Sequence, residues 1–369
     1  MIKVAFYCTS KARGGLEMNL VKTANIIRGK VEIVIITVKD SLIFNEAKKL
    51  NLKCITISKP NKYFDIISAF KLSNIIRKNK IKHLVVFDNK DTDCASMAKL
   101  FHRKFKLYYH QNMHIGGNKK DFFHTLRYNR FDVWISPLKI LAKEVEELTN
   151  FPRERVRVVH IGVDQMEFFD RKPKDKAKLA LGIDPEQFVV GIMGRIDEQK
   201  GQMTALEAMT KIKEKDIVLI IVGEPTIGEG DVYFAKMKEY IDANSLSDRV
   251  KIINFTNLIA DIYSAMDVFL LTSFSETYGL VTIEAMMAQV PIIATRSGGT
   301  IEITDNGKYA ELFTPKDSDE LTHKITKMYY DYNVYQAHAL ITEEYALDNF
   351  SKRSEREILY NLFLEQENG

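Results

Sequence analysis

Two glutamates, Glu276 and Glu284, stand eight positions apart in residues 272–288, Thr-Ser-Phe-Ser-Glu-Thr-Tyr-Gly-Leu-Val-Thr-Ile-Glu-Ala-Met-Met-Ala. The pattern predicts a strand ending near Thr272, a short loop, and a helix starting near Gly279. The N–H groups of Tyr278, Gly279 and Leu280 then lie at a helix start, where backbone donors are unpaired and the dipole is positive. That end accepts a phosphate. A carboxylate accepts two hydrogen bonds and so grips a vicinal diol. Glu276 in the loop and Glu284 in the first helical turns are therefore candidates for holding sugar hydroxyls. A surface loop with an ordinary amphipathic helix is the bland alternative. The flanking Tyr-Gly-Leu and Glu-Ala-Met-Met-Ala weigh against it.

The elements that must position these residues alternate. Residues 2–8, 31–37, 52–57, 84–87, 106–109 and 132–136 read as strands, with helices over 16–27 and 63–78 among them. A helix over 138–148 and a short strand over 156–161 follow. Such alternation means a parallel sheet covered by helices on both faces. Residues 165–185 are polar and carry Pro173 and Pro185, which suits an interdomain boundary. Alternation then restarts, with strands at 188–193, 217–222, 250–254, 267–271 and 291–294 and helices at 202–213, 231–243, 258–265 and 280–288. Residues 347–364 read as one further helix. The expected organisation is a Rossmann-like domain over 1–165, a second over 166–345, and a C-terminal helix over 346–369. Two such α/β domains facing one another form a ligand cleft at the carboxyl ends of their strands.

The chain has 369 residues, 46% of them apolar, enough for two cores. Cys8, Cys54 and Cys94 fit neither a zinc nor a disulfide pattern, so a reducing cytosol is the expected compartment. No signal peptide is expected, because Met1-Ile2-Lys3 runs straight into a strand. No run of about 18 apolar residues occurs, so no membrane span is expected.

The glutamate segment resembles the E-x7-E signature of retaining glycosyltransferases of the GT-B fold, those of glycosyltransferase family 4. The resemblance recurs along the chain. Residues 194–201, Gly-Arg-Ile-Asp-Glu-Gln-Lys-Gly, are similar to the family's G-R-x4-K-G segment. It implies that Arg195 and Lys200 pair with a diphosphate, where two cations stabilise the charge that develops as the glycosidic bond breaks. Lys11-Ala12-Arg13-Gly14-Gly15-Leu16-Glu17 resembles the family's glycine-rich loop after the first strand. Gly14 and Gly15 would let the backbone approach an anion. No G-x-G-x-x-G and no P-loop motif occurs, which weakens dinucleotide and NTPase readings. Residues 297–302 resemble the G-G-x-x-E turn, and 160–164 the N-G-V-D element, with His160 where Asn is usual. Tyr278 stands where the family often has Phe.

By the same resemblance Glu284 grips the ribose and Glu276 the donor sugar, while Asn254, Phe255 and Thr256 sit where the base is bound. Gly223, Thr277, Tyr278, Gly279 and Leu280 complete the donor contacts. The resemblance also implies an active-site histidine at a strand end of the first domain: His110 first, His114 as the alternative. Lys11, Arg13 and His114 fall to the acceptor. Asp91-Thr92-Asp93 and Asp317-Ser318-Asp319 have the D-x-D form that binds a metal in another glycosyltransferase fold. The form is common by chance, and neither a metal nor another cofactor is expected.

Charge is divided unevenly. Residues 1–165 hold 31 basic and 15 acidic residues, +16, and the remainder carries −12. A basic first half points to an anionic partner. Aromatic–basic segments at 59–64, 101–106 and 119–128 suggest an anionic membrane surface on the cytoplasmic side. Nucleic acid is disfavoured, since no recognition motif is present and the second half is acidic. The expected activity is transfer from a nucleotide-diphosphate sugar, UDP first among them, to a hydroxyl of a glycan or lipid-linked acceptor in surface polysaccharide or glycolipid synthesis. An epimerase or a non-catalytic nucleotide-sugar binder on the same fold is the alternative.

Overall fold

Unbroken apolar runs such as Ile217–Val222, buried along their whole length, make strands covered on both faces, the mark of parallel sheets. The computed structural model describes residues 1–61, 64–225 and 230–368. It divides into two compact units: Met1–Gly162 with Lys352–Gly369, and Val163–Ser351. The domain limits expected from sequence, 165/166 and 345/346, are neighbours of these crossings rather than the crossings themselves.

The first unit is built on β1 (Lys3–Cys8), β2 (Glu32–Thr37), β3 (Lys53–Thr56), β4 (His83–Val86), β5 (Lys106–His110), β6 (Val133–Ser136) and β7 (Val156–Val158). Their order is β3-β2-β1-β4-β5-β6-β7, with every pairing parallel. The second unit carries β8 (Phe188–Met193), β9 (Ile217–Val222), β10 (Val250–Ile253), β11 (Val268–Leu271), β12 (Ile292–Thr295) and β13 (Glu311–Phe313). Here the order is β10-β9-β8-β11-β12-β13, again all parallel. Strand order reverses between β1 and β4 in one sheet and between β8 and β11 in the other. Loops leaving the carboxyl ends of those strands diverge there, and ligands of open α/β sheets bind at such points.

Three sequence expectations are corrected. Residues 165–185 are not a linker: they hold the helix Lys174–Ala180 within the second unit. Pro173 caps that helix, where a missing N–H costs nothing. Lys178, in the same helix, is buried, and its ammonium reaches the Asp267 carboxylate at 2.8 Å. Residues 347–364 are not one helix. Tyr332–Phe350 and Lys352–Asn368 are separate, with Ser351 extended between them and the Phe350 carbonyl taken by the Val163 amide at 2.8 Å. The helix expected to begin at residue 63 runs Ile66–Lys78. Lys62 and Tyr63 lie outside the described residues. No helix among the described residues is long and apolar enough to cross a membrane.

Candidate active site

The two motifs of the second unit flank its switch point: residues 194–201 leave β8, and residues 272–279 leave β11. Backbone bonds stitch the loops together. The Phe274 amide donates to the Gln199 carbonyl at 2.9 Å, and the Thr272 hydroxyl to the Lys200 carbonyl at 2.8 Å. The Gly299 amide, after β12, donates to the Glu276 carbonyl at 2.8 Å. Two glycines allow this closeness. A Cβ at Gly201 would lie 2.2 Å from the Thr272 carbonyl oxygen, and one at Gly298 would lie 2.1 Å from that of Glu276. Both have positive φ, +66° and +52°, which L side chains rarely adopt.

Side chains meet on this frame. The Lys200 ammonium lies 2.7 Å from a Glu276 carboxylate oxygen, which also accepts from the Ser273 hydroxyl at 3.2 Å. Gly279, at φ +88°, begins the helix Leu280–Met287, and no side chain caps that end. The helix start is thus furnished with donors beside Glu276. One turn in, Glu284 accepts a hydrogen bond at 2.9 Å from the buried Tyr263 hydroxyl, which also reaches the Val281 carbonyl at 3.0 Å. Tyr263 was not singled out from sequence. It lies on a separate helix, Ile259–Ala265, and nothing in its spacing connects it with Glu284. Arg195 is exposed, and its guanidinium pairs with no described residue. Gly223 lets β9 turn against the Gly194 carbonyl, where a Cβ would stand at 1.9 Å. Asn254, Phe255 and Thr256 form the loop after β10, with the Phe255 ring 60% exposed and open to stacking. Thr277 is half-buried and Tyr278 buried.

In the first unit the expected residues separate. His110 ends β5, is buried, and stacks on Phe87 with centroids 4.4 Å apart. Burial drives its imidazole down to about 4, so the ring is neutral at physiological pH, and its buried Nδ1 lacks a partner among the described residues. His114 is exposed and paired with Glu144. Gly14 and Gly15 are not demanded by backbone conformation, since neither has positive φ. The Gly14 amide is taken by the Glu17 carboxylate at 3.0 Å, and the Ser10 hydroxyl binds the other Glu17 oxygen. A Cβ at Gly15 would meet open space. Lys11 and Arg13 are exposed.

The D-x-D aspartates have internal partners. Asp91 accepts from the Thr9 amide and hydroxyl at 2.6 and 2.5 Å, Asp93 pairs with Arg127 at 3.0 Å, and Asp317 caps the helix Ser318–Tyr330. Cys8, Asp88 and Asp91 do gather within 4.8 Å, the one such group among the described residues.

Two Rossmann-like units, each an all-parallel sheet with a switch point, define the GT-B fold, and comparison agrees. The chain superposes on HepE of Anabaena, solved in complex with UDP, with TM-score 0.87 over 99% of this chain and 100% of that one at 21% identity. It superposes on a glycosyltransferase of Rickettsia africae with TM-score 0.88 over 99% and 98% at 18% identity. Residues 173–344, nearly the whole second unit, match the family model described as Glycosyl transferases group 1. An uncharacterized glycosyltransferase of Methanocaldococcus jannaschii is 26% identical over 60% of this chain and 58% of its own length. The lipopolysaccharide core biosynthesis mannosyltransferase LpsB of Rhizobium meliloti is 32% identical over 41% of this chain and 43% of its own. The chain thus spans about half the length of the curated relatives it matches.

Proposed function

We propose that this protein is a retaining glycosyltransferase that uses a nucleotide-diphosphate sugar, UDP-linked in the first instance, and glycosylates a hydroxyl of a glycan or lipid-linked acceptor. The observation that carries it is the Lys200–Glu276 pair beside a helix start that no side chain caps: a cation for phosphate, a carboxylate for sugar hydroxyls, and a helix N-terminus within one loop cluster. In this reading Glu276 holds the donor sugar and Glu284, steadied by Tyr263, the ribose. Arg195, Lys200 and the Gly279 helix start carry the diphosphate without a metal. Phe255 with Asn254 and Thr256 receives the base. The bond between the anomeric carbon and the β-phosphate breaks as the acceptor oxygen bonds that carbon on the same face. The acceptor's proton passes to the departing phosphate oxygen. Solved neighbours named as complexes with UDP and with UDP-glucose favour this donor class. Thermal-shift titration of the full chain with UDP, GDP, ADP and UDP-glucose, without metal, tests the reading, because a ligand of the native state raises its melting temperature. No shift with any diphosphate would sink it.

The acceptor falls to the first unit, with Lys11, Arg13 and His114 on its exposed loops and His110 at a strand end. A lipid-linked acceptor is favoured by one feature. Phe64 meets Phe123 at 6.4 Å between centroids, Phe122 meets Phe123 at 5.6 Å, and Phe70 meets Phe101 at 5.6 Å. All five rings are exposed, and Lys71, Arg103, Lys104 and Lys120 are exposed near them in sequence. Exposed aromatics among cations suit the headgroup region of an anionic membrane, on the cytoplasmic face. Flotation with vesicles containing phosphatidylglycerol, against phosphatidylcholine alone, checks it: binding should need the anionic lipid and fall in Phe122→Ser/Phe123→Ser. Equal recovery with both lipids contradicts membrane docking.

A further inference from the structure

Glu355 lies on the C-terminal helix, is only 2% exposed, and takes no part in the donor site. One of its oxygens accepts from the Gly162 amide at 2.7 Å, and the other from the Thr23 hydroxyl at 3.0 Å. Gly162 is the last residue of the first unit before the chain leaves it. Thr23, itself buried, also stands 3.4 Å from the Asn19 side-chain oxygen. The Asn19 amide nitrogen donates to the Asn112 side-chain oxygen at 2.8 Å. Asn112 in turn donates to the carbonyls of His110 at 2.8 Å and Phe87 at 3.1 Å, the two rings stacked at the ends of their strands. A row of polar groups at hydrogen-bond distance thus links the residue where the chain leaves this unit to the strand end that bears His110, with the Thr23 hydroxyl shared between Glu355 and Asn19.

We propose that Glu355 is a positioning residue for the transfer: it holds Gly162 and, through Thr23, Asn19 and Asn112, sets the strand end carrying His110. The inference rests on the glycosyltransferase reading for its effect on rate, but the row of bonds stands without it. Thr23 has one hydroxyl proton. While Glu355 is ionised, that proton points at the carboxylate, and Asn19 loses it. When Glu355 takes up a proton, it donates to Thr23, and the threonine hydroxyl turns to Asn19. The bond from Gly162 weakens at the same time, because a neutral acceptor is poorer than a charged one. Burial raises the Glu355 carboxyl to about 7, against the pull of its two donors and of Lys352 on the same helix. The helix Gly15–Ile26 presents Thr23 and Asn19 to it, neither titratable. Of the charged groups on that helix, Lys22 is exposed and Glu17 is engaged with Gly14 and Ser10.

The test uses the full chain, isotope-labelled, with Glu355→Gln and Thr23→Val. In the wild type, the Asn19 and Asn112 side-chain amide resonances and the Gly162 amide should move in one step near neutral pH. Glu355→Gln should abolish that step. Thr23→Val should abolish it at Asn112 and leave it at Gly162. Asp91 is also raised to about 7, so Asp91→Asn serves as the control and should leave the step in place. With UDP-sugar and acceptor, Glu355→Gln should lower kcat by about 10-fold with donor KM within about twofold, and should flatten the kcat–pH profile near neutrality. A step that persists at Asn112 in Glu355→Gln, or in Thr23→Val, overturns the proposal, as does wild-type kcat with an unchanged profile. A wild type that transfers no sugar removes the glycosyltransferase reading alone, since the resonance shifts still judge the row of bonds.

Discussion

The Lys200 ammonium and a Glu276 carboxylate oxygen, 2.7 Å apart, join the loop after β8 to the loop after β11 across the point where strand order reverses. Each charge holds the other in place until a ligand arrives. In the proposed reading a diphosphate would compete for Lys200 and sugar hydroxyls for Glu276. Lys200→Ala is expected to lower kcat/KM by about 100-fold and to weaken UDP binding. Glu276→Ala should lower kcat/KM similarly while leaving UDP binding near wild type, since UDP lacks the sugar. Steady-state kinetics with calorimetric titration of UDP separates the two. Both variants turning over normally would refute the roles assigned.

If Glu284 grips the ribose as proposed, Tyr263 acts on that site at one remove. Its hydroxyl holds Glu284 at 2.9 Å from a fully buried ring. Tyr263→Phe keeps the packing and frees the carboxylate to rotate. UDP affinity should fall by about 5-fold, measured by titration, because the supporting hydrogen bond is what orients the ligand-gripping group. Affinity for inorganic pyrophosphate, which has no ribose, should stay the same.

Backbone closeness is the weak point of the loop cluster. A Cβ at Gly298 would stand 2.1 Å from the Glu276 carbonyl oxygen, at a φ of +52°. Gly298→Ala should destabilise the protein by at least about 2 kcal/mol and displace Glu276. Gly15→Ala, where a Cβ meets open space, should leave stability within about 0.5 kcal/mol. Thermal unfolding of the two variants side by side reads the contrast.

Asp267 pins the helix Lys174–Ala180 to β11. Its buried carboxylate meets the ammonium groups of Lys174 and Lys178 at 2.8 Å each and the Val189 amide at 2.8 Å. Asp267→Ala leaves the buried Lys178 uncompensated. The expected loss is about 3–5 kcal/mol in denaturant unfolding. A loss below about 1 kcal/mol would mean that Lys178 finds water instead.

His110 gives a pH signature of known sign. Its folded value, about 4, lies below the ordinary imidazole value of 6.5. Its stabilisation is therefore complete above 6.5 and is lost as pH falls towards 4, because the unfolded chain takes the proton first. The loss amounts to at most about 3 kcal/mol. Asp91 and Glu355, both raised to about 7, act in the opposite sense: their contribution declines as pH rises towards 7. The comparison to make is wild type minus His110→Phe, measured by urea unfolding between about pH 4 and 7. The difference should shrink with falling pH, and a constant difference would show that the ring stays accessible to protons.

Much of the second unit was readable one segment at a time. Residues 217–222 are a buried apolar run bounded by polar residues, so they could only be a central strand, and residues 279–287 carry their own helix start. The helix Thr92–Phe101 is not among the elements expected from sequence, where Asp91-Thr92-Asp93 counts only as a chance D-x-D triplet. The helix Lys174–Ala180 escaped notice because its polar residues and Pro173 look like a linker until Asp267 is placed beside Lys178.

The amino-acid order alone determined the alternating α/β class, the two-domain division, the spacing of Glu276 and Glu284 and of Arg195 and Lys200, and the basic first half, because periodicity, glycine placement and charge are properties of short stretches. It could not determine that Glu276 meets Lys200, that Tyr263 steadies Glu284, that Glu17 occupies the Gly14 amide, or that Glu355 is buried between Thr23 and Gly162. Those partners are 76, 21, 3 and 332 or 193 positions apart. Even the nearest of them depends on how a loop turns. Such pairings are decided by strand order, and strand order is set by the joint burial of whole sheets and helices rather than by any local preference.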